Sequence, residues 1–248
     1  MNRYAIIDTE GSGVFDYTKP ADAPGQPRMA AFGLILVNSE LGIEHEHSFL
    51  IRPDGWWFDN NSAAAAVNGL THERLMDEGV PVKDALRLYG DAIDARYIVV
   101  GYNVLHDLKQ LRAEQRIVGL PDRYMQTKYI CAMQGCRKIV DARTADGRKK
   151  APKLEEACTH FGIKRDEAHT ALSDARDALA ILRHLRDLGA MPAYTDPYDK
   201  QAKPVKPERK ARTVPKPRLQ GPDYEQQIMH EQEMEQRDFL RGASEDGK

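Results

Sequence analysis

The stretch Tyr4-Ala5-Ile6-Ile7-Asp8-Thr9-Glu10-Gly11-Ser12-Gly13 joins an apolar run to two acids and a glycine-rich turn. Since successive side chains of a β-strand point to opposite faces, a strand here places Asp8 and Glu10 on one face. Two adjacent carboxylates repel each other and resist losing solvent, so a hard divalent cation would stabilise the pair. Taken alone, the pattern is more often a strand that ends in solvated acids.

A second acidic position follows another strand-like run, residues 97–100, and the turn residue Gly101. Beyond it, leucines recur every three residues, which predicts a helix that begins near Asn103. Asn103 and Asp107 are then one helical turn apart on a shared face, so the amide could orient the chain or a substrate while the acid reaches a metal. For this cluster alone, an N-cap asparagine and a surface aspartate are the favoured interpretation. The leucines are Leu105, Leu108 and Leu111.

The third cluster opens a helix that is predicted from apolar positions at helical spacing. His169 lies at or just before the start of this helix, and Asp174 lies about one turn inside it. A neutral imidazole near pH 7 can accept a proton from water, as a hydrolytic site requires of its general base. A single histidine is more often an ordinary surface or core residue. The apolar positions are Leu172, Ala175, Leu179, Leu182 and Leu185.

In order and spacing, the three clusters resemble the DEDDh 3′-to-5′ exonucleases, whose motifs are D-x-E, N-x-x-x-D and H-x-x-x-x-D. The sibling DEDDy class carries a tyrosine four residues before its last aspartate, where this chain has Thr170, whereas His169 lies five before. The resemblance extends from about Tyr4 to Leu188 and includes residues 66–71, Ala-Val-Asn-Gly-Leu-Thr, which are similar to the family segment ending in H-G-I-T. It implies an α/β, ribonuclease H-like fold with a mixed five-stranded sheet flanked by helices.

The resemblance also implies a site and its chemistry. Two divalent cations, Mg²⁺ or Mn²⁺, roughly 4 Å apart would clamp the attacking and leaving oxygens of a terminal phosphodiester, and nucleoside 5′-monophosphates would be released. His169 would act as the general base. The implied metal ligands, which are also catalytic residues, are Asp8, Glu10, Asp107 and Asp174.

Residues around these motifs are predicted to contact the substrate, because a glycine-rich turn lets backbone approach a phosphate or sugar. Gly11 and Ser12 stand where relatives often carry threonines, Asn68 where many carry histidine, and His106 where the family usually has phenylalanine. These positions lie near the terminal nucleotide in relatives, so the departures bear on substrate preference. The predicted set is Gly11, Ser12, Gly13, Val14, Asn68, Asn103 and His106.

The predicted partners are 3′ ends of single-stranded nucleic acid, with DNA favoured, in replication, proofreading or repair. An exoribonuclease that trims RNA ends is the nearest alternative, because the metal and base motifs act on a phosphodiester and discrimination depends on how the site meets the 2′-hydroxyl. A noncatalytic nucleic-acid-binding adaptor is the third alternative. Its usual mark, a missing ligand or base, is absent from this sequence.

Three further segments have two interpretations each. The aromatic triplet at residues 56–58 either stacks unpaired bases or, as is favoured, forms a hydrophobic plug under a loop. The basic residues between positions 137 and 153 either steer a phosphate backbone or belong to a solvated loop. Residues 15–28 contain three prolines and few apolar side chains, which predicts a long exposed loop or a substrate-side flap.

The whole chain of 248 residues, with a formal net charge of −2 and 41% hydrophobic residues, allows one globular domain with room left over. No stretch approaches the ~20 apolar residues that span a bilayer, and the sequence begins with a strand-like run and no signal peptide. Three cysteines without metal-finger spacing fit reduced thiols. We therefore expect a cytoplasmic protein that does not bind a membrane.

Composition predicts three parts: an exonuclease domain at 1–190, a flexible linker rich in proline, lysine and arginine at 191–222, and a short acidic helical tail at 223–248. Between residues 200 and 218, eight basic residues accompany one acid, which favours attraction to nucleic acid or simply solubility. Residues 236–240, Gln-Arg-Asp-Phe-Leu, resemble bacterial sliding-clamp-binding motifs. The favoured alternative is an amphipathic helix that docks on the domain or on a partner such as a polymerase.

Local patterns predict strands near residues 3–8, 29–37, 43–51 and 97–101 and a helix near residues 82–95.

Overall fold

A computed structural model describes residues 2–165 and 170–202 of the chain. The strands are β1 Tyr4–Gly11, β2 Met29–Val37, β3 Ile43–Leu50, β4 Ile98–Gly101 and β5 Tyr129–Cys131. The helices are α1 Ala63–Asn68, α2 His72–Glu78, α3 Val82–Asp94, α4 Val104–Ile117, α5 Ala132–Cys136, α6 Leu154–Phe161, α7 Ala171–Asp187 and α8 Pro197–Ala202. A short 3-10 helix, Tyr124–Gln126, precedes β5.

The five strands form one sheet in the order β3-β2-β1-β4-β5. Strands β1, β2 and β3 pair antiparallel, whereas β4 and β5 run parallel to β1. This confirms the predicted mixed sheet, and the helix predicted near residues 82–95 is α3. The first strand continues past its predicted end at residue 8, because Thr9 and Glu10 still pair with Phe32 and Ala31 of β2.

The sheet is covered on both faces. Alternation along β1 sends Ile7 toward the side covered by α3 and α4, and sends Ile6 toward the side covered by α7. Both isoleucines are 0% exposed. The helix predicted for the third cluster is α7, and its predicted apolar positions pack on the side of Ile6. Of these positions, Ala175, Leu179, Leu182 and Leu185 are buried.

The end of β1 extends beyond its neighbour β4. The parallel pairing of the two strands covers only residues Tyr4 to Ile6 of β1. The part of β1 that carries Asp8 and Glu10 therefore has β2 on one side and no strand on the other. This opening at the end of the sheet is where three of the predicted ligands, Asp8, Glu10 and Asp174, meet.

The predicted linker begins at residue 191, but its first part lies on the sheet. Thr195 and Tyr129 exchange two backbone hydrogen bonds of 2.7 and 2.9 Å, and α8 follows. A proline-rich composition does not prevent one extended residue from pairing with an edge strand. The remaining linker and the tail, including residues 236–240, lie outside the described residues. Among the described residues, no helix has the length and apolar character needed to cross a membrane.

Candidate active site

Three of the predicted ligands converge at the open end of β1. One oxygen from each of Asp8, Glu10 and Asp174 lies within 4.8 Å of the other two. The first two side chains project from the same face of β1, as alternation predicts, and Asp174 comes from the first turn of α7. All three side chains are partly accessible, so an ion can reach them.

Helix α7 can approach the cluster closely because β2 has a glycine, Gly33, at the point of contact. Gly33 pairs with Asp8 across the two strands. A Cβ at Gly33 would lie 2.5 Å from the carbonyl oxygen of Ala171 and 2.7 Å from the amide nitrogen of Leu172. The first turn of α7 therefore rests directly on the backbone of β2, and this close approach places Asp174 next to Asp8.

Asp107 lies beside the site, on α4, but it is not among the three acids whose oxygens lie within 4.8 Å of one another. Its Oδ1 accepts hydrogen bonds from the backbone amide of Thr9 at 3.0 Å and from the Thr9 hydroxyl at 2.8 Å. The side chain is buried, and Gly101 leaves room for it, since a Cβ there would lie 3.2 Å from Oδ2. Asp107 thus satisfies an amide of β1 that β4 is too short to reach, and one of its oxygens is already engaged.

The electrostatics of the cluster favour a cation. Burial raises the pKa of Asp8 well above its ordinary value, the charges of Asp107, Glu10 and Asp174 raise it further, and Arg165 opposes them. Burial, followed by Asp174 and Asp107, raises the pKa of Glu10 to about 7, while a hydrogen bond from Asn68 lowers it. Burial is also the main cause of the raised pKa of Asp107. Without a counter-ion, Glu10 and Asp107, whose pKa values are both raised to about 7, are partly protonated at neutral pH.

The donor set fits a hard divalent ion. Carboxylate oxygens are the ligands that Mg²⁺, Mn²⁺ and Ca²⁺ prefer, and a bound cation would relieve the mutual repulsion that raises these pKa values. Asp8, Glu10 and Asp174 would hold it, with Asp107 adjacent.

We expect metal affinity to rise as the pH rises from about 6 to about 8, because the ion must displace a proton from Glu10, whose pKa is about 7. The folded pKa of Glu10 exceeds its ordinary value of 4.5. The folded state therefore binds more protons than the unfolded state between these values, and the metal-free protein loses stability as pH rises through them. Calorimetric titration with Mn²⁺ in two buffers of different ionisation enthalpy measures the protons released. Affinity that is independent of pH, with no proton release, would contradict this expectation.

The turn after β1 is closed by two hydrogen bonds between Ser12 and Arg28. The amide of Ser12 donates to the carbonyl of Arg28 at 2.8 Å, and the Ser12 hydroxyl accepts from the amide of Arg28 at 2.9 Å. The backbone of Gly11 lies in the same turn as Gly13 and Val14, whose side chain is 87% exposed. The four residues predicted to contact substrate, Gly11 to Val14, therefore directly follow Glu10 in the chain, and their role stays a prediction.

Asn68 lies at the cluster, at the end of α1. Its Nδ2 is 3.5 Å from the carbonyl oxygen of Gly11, its Oδ1 accepts from the amide of Leu70 at 3.1 Å, and it hydrogen-bonds Glu10. Beside it opens a cavity of about 300 Å³. The cavity is lined by Glu10, Ala31, Ser48, Leu50, Asn68, Leu70, Arg74, Glu78, Thr170 and Ala171.

His106 and Asn103 occupy the start of α4. His106 Nδ1 is 3.1 Å from the Tyr17 hydroxyl, and its ring meets the edge of Phe15. Asn103 stands at the N-cap position but makes no capping hydrogen bond with its side chain. His106 therefore links the site to the loop at residues 15–28. This loop is largely exposed, as predicted, yet Phe15 is buried.

The predicted general base, His169, lies outside the described residues. Thr170, which follows it, caps α7 by accepting a hydrogen bond from the Ser173 amide at 3.1 Å. The sequence patterns did not single out three residues that shape the site: Thr9, Gly33 and Arg165. A signal for Arg165 was present in the sequence. Asp174 and Asp177 are three residues apart on the helix that is now α7, so they share a face that favours a cationic partner.

The structure also bears on the aromatic triplet and on the basic segment, each of which had two interpretations. Phe58 is 0% exposed and packs with Leu70 and Leu75, which confirms the plug for this residue, whereas Trp57 is 66% exposed and stacks on His72 at 3.6 Å. In the basic segment, acids neutralise several cations. The ion pairs are Arg143–Asp141, Arg148–Asp146 and Lys150–Glu156.

Comparison with solved structures finds the same fold in exonucleases. E. coli exonuclease I in complex with a dT13 oligonucleotide superposes with a TM-score of 0.63 at 19% identity, over 75% of this chain and 41% of that one. A moderately thermophilic exonuclease I from Methylocaldum szegediense superposes with a TM-score of 0.60 at 19% identity, over 75% of this chain and 41% of that one. A 3′-exonuclease that recognises the 3′ end of a histone mRNA stem-loop gives 0.59 at 16% identity, over 77% of this chain and 84% of that one. The chain thus spans less than half the length of both exonuclease I chains.

Comparison by sequence points the same way. Curated proteins give no significant match. The family model RNase_T, described as exonuclease, matches residues 5–182. The matched region begins in β1 and includes Asp8, Glu10, Asp107 and Asp174, and members of this family use divalent metals. The chain therefore belongs to the RNase_T exonuclease family of nucleases and has its ribonuclease H-like fold.

Proposed function

We propose that this protein is a DEDDh 3′-to-5′ exonuclease that removes nucleoside 5′-monophosphates from single-stranded DNA ends. The observation that carries the proposal is the meeting of Asp8, Glu10 and Asp174 within 4.8 Å at the open end of β1. Family membership supports phosphodiester hydrolysis, and the accessible end of the sheet supports attack on a chain terminus.

We assign a separate role to each residue of the candidate site. Asp8, Glu10 and Asp174 would hold divalent cations, for which we propose Mg²⁺, and Asp107 approaches from α4. Bound there, the cations would activate the attacking water and neutralise charge on the phosphodiester oxygens. His169 accepts a proton from the attacking water, a role that rests on its spacing of five residues from Asp174.

Exposed apolar side chains support binding of an unpaired end. Val14 is 87% exposed in the turn after β1, and Val67 is 70% exposed next to Asn68. Isolated exposed apolar residues are ordinary, but Val14 follows Glu10 by four positions and Val67 precedes Asn68, which hydrogen-bonds Glu10. Contact with the faces of unpaired bases gives them a partner, and such contact is tolerant of sequence.

The choice between DNA and RNA has support on both sides. The exonuclease I structure contains a DNA oligonucleotide, whereas the 3′-exonuclease recognises an RNA stem-loop and matches over more of its own length. We keep DNA as the leading substrate and an exoribonuclease as the second candidate. The four acids of the motifs are all present, which disfavours a noncatalytic adaptor.

The test uses 5′-labelled single-stranded DNA, duplex DNA and RNA of equal sequence, each with Mg²⁺, Mn²⁺ or a chelator. We expect a ladder that shortens from the 3′ end of single-stranded DNA with either metal and no cleavage with chelator. Asp174→Ala and His169→Ala should lose the ladder, while Asp187→Ala at the other end of α7 should keep it. Preference for RNA would favour the second candidate. Full activity of both site variants, or no cleavage of any substrate, would overturn the proposal.

A further inference from the structure

Arg165 lies between two carboxylates of α7. Its Nη2 is 2.7 Å from Asp174 Oδ1, and its Nε is 2.7 Å from Asp177 Oδ2. The side chains of Arg165, Asp174 and Asp177 are 18%, 19% and 10% exposed. This is a largely desolvated triad in which one member, Asp174, also faces the metal cluster.

The geometry suits the planar fork of a guanidinium. Asp174 and Asp177 are three residues apart, so they lie on the same face of α7. A planar fork can donate to both at once, whereas an ammonium group is a point charge. Arg165 occupies Oδ1 of Asp174, which fixes the plane of the carboxylate. The same carboxylate also has an oxygen within 4.8 Å of oxygens of Asp8 and Glu10.

The charge of the triad explains why a cation beside a metal site is tolerable. A lone guanidinium bound to Asp174 would repel a divalent ion. Asp177 is buried and pairs with the same guanidinium, so Arg165 and Asp177 together add no net charge. What the pair contributes is orientation, the property that hydrogen bonds to ligating carboxylates supply in metal sites.

We propose that Arg165, neutralised by Asp177, is a positioning residue that fixes the Asp174 carboxylate for a divalent cation held with Asp8 and Glu10. The inference rests on the proposed function only in taking Asp174 as a metal ligand. It predicts that removing Arg165 weakens metal binding, although the removal of a positive charge alone would strengthen it.

The test is calorimetric titration of Mn²⁺ into the metal-free wild type, Arg165→Met and the double variant Arg165→Met/Asp177→Asn. The double variant conserves net charge. We expect both variants to lose about 10- to 100-fold in affinity, as for other residues that orient metal ligands. Arg176→Met is the matched control, since Arg176 lies on α7 and forms a bidentate pair with Glu46 at 2.9 and 2.7 Å. Its affinity for Mn²⁺ should equal that of the wild type.

A third variant separates positioning from stability. Arg165→Lys keeps the charge and should keep the fold, but its ammonium group cannot reproduce the fork, so we expect its affinity for Mn²⁺ to stay below that of the wild type. Thermal melts identify which variants are folded. Unchanged or tighter binding in the folded Arg165 variants would overturn the inference. Absence of Mn²⁺ binding by the wild type would instead overturn the proposed function.

Discussion

Asp8→Asn is expected to lower the hydrolysis rate by at least about a thousandfold, roughly 4 kcal/mol of transition-state stabilisation, while it raises the melting temperature of the metal-free protein. The loss of activity follows because an amide cannot supply the charge that holds the cations. Glu10 and Asp174 each contribute an oxygen of their own to the same cluster, so neither can take the place of Asp8.

The gain in stability has a separate cause. Burial is the largest reason that the pKa of Asp8 is raised, and the charges of Asp107, Glu10 and Asp174 add to it. Ionised Asp8 therefore costs the folded state free energy at pH 8, and a neutral amide removes that cost. For a domain of this size, each 1 kcal/mol corresponds to about 2–4 °C in melting temperature.

Melting curves in chelator and in excess Mg²⁺ test both halves. In chelator the variant should melt above the wild type. In Mg²⁺ the wild type should gain stability by ligand binding, and the variant should not. Asp91→Asn, at an exposed position of α3, is the control and should match the wild type in both conditions. A variant that melts below the wild type in chelator would contradict the account of the cluster.

Local periodicity predicted the elements of this fold well. The helix predicted near residues 82–95 is α3, and the leucine spacing after Gly101 gave the start of α4, where Asn103 stands at the N-cap position. These patterns depend on neighbours within a few residues, which the sequence displays directly. The strand order and the extension of β1 to Gly11 depend on pairing with β2, which residue spacing alone does not display.

The candidate site was predictable only in part. Spacing indicated that Asp8 and Glu10 share a face, and the resemblance to DEDDh exonucleases brought in Asp107 and Asp174. The structure brings three of these four into one cluster, while the role of His169 stays a prediction. Arg165 and Thr9 could not be identified from local patterns because their partners lie in other elements. The hydrogen bond from Thr9 to Asp107, for example, spans 98 positions in the chain.

The role of Gly33 could not be predicted from the sequence for a related reason. A glycine in the middle of a strand usually signals a weak or bulged strand or a close approach, and the sequence does not say of what. In the structure, the approaching group is the first turn of α7, which carries Asp174. The position of Asp174 therefore depends on the lack of a side chain at Gly33, which lets α7 pack directly on β2.

Gly33→Ala is accordingly expected to damage both stability and catalysis. Its Cβ would lie 2.5 Å from the carbonyl oxygen and 2.6 Å from the carbonyl carbon of Ala171, and backbone atoms cannot rotate away as a flexible side chain can. Helix α7 must lift from β2, and overpacking of this kind costs roughly 1–3 kcal/mol of unfolding free energy. A displacement of about 1 Å at Asp174 would lower the hydrolysis rate about 100-fold.

The matched control for this prediction is Gly90→Ala. Gly90 lies inside α3, and a Cβ there meets no atom within 4 Å. This change should stabilise the protein by about 0.5–1 kcal/mol, because alanine restricts the unfolded chain and favours a helix, and it should leave activity unchanged. Denaturant unfolding and initial rates on a 5′-labelled single strand measure both quantities. If Gly33→Ala kept wild-type activity and stability, the seating of α7 on Gly33 would not be what positions Asp174. If it lost activity while Gly90→Ala gained stability, the position of the third carboxylate would depend on the contact between α7 and the bare backbone of β2.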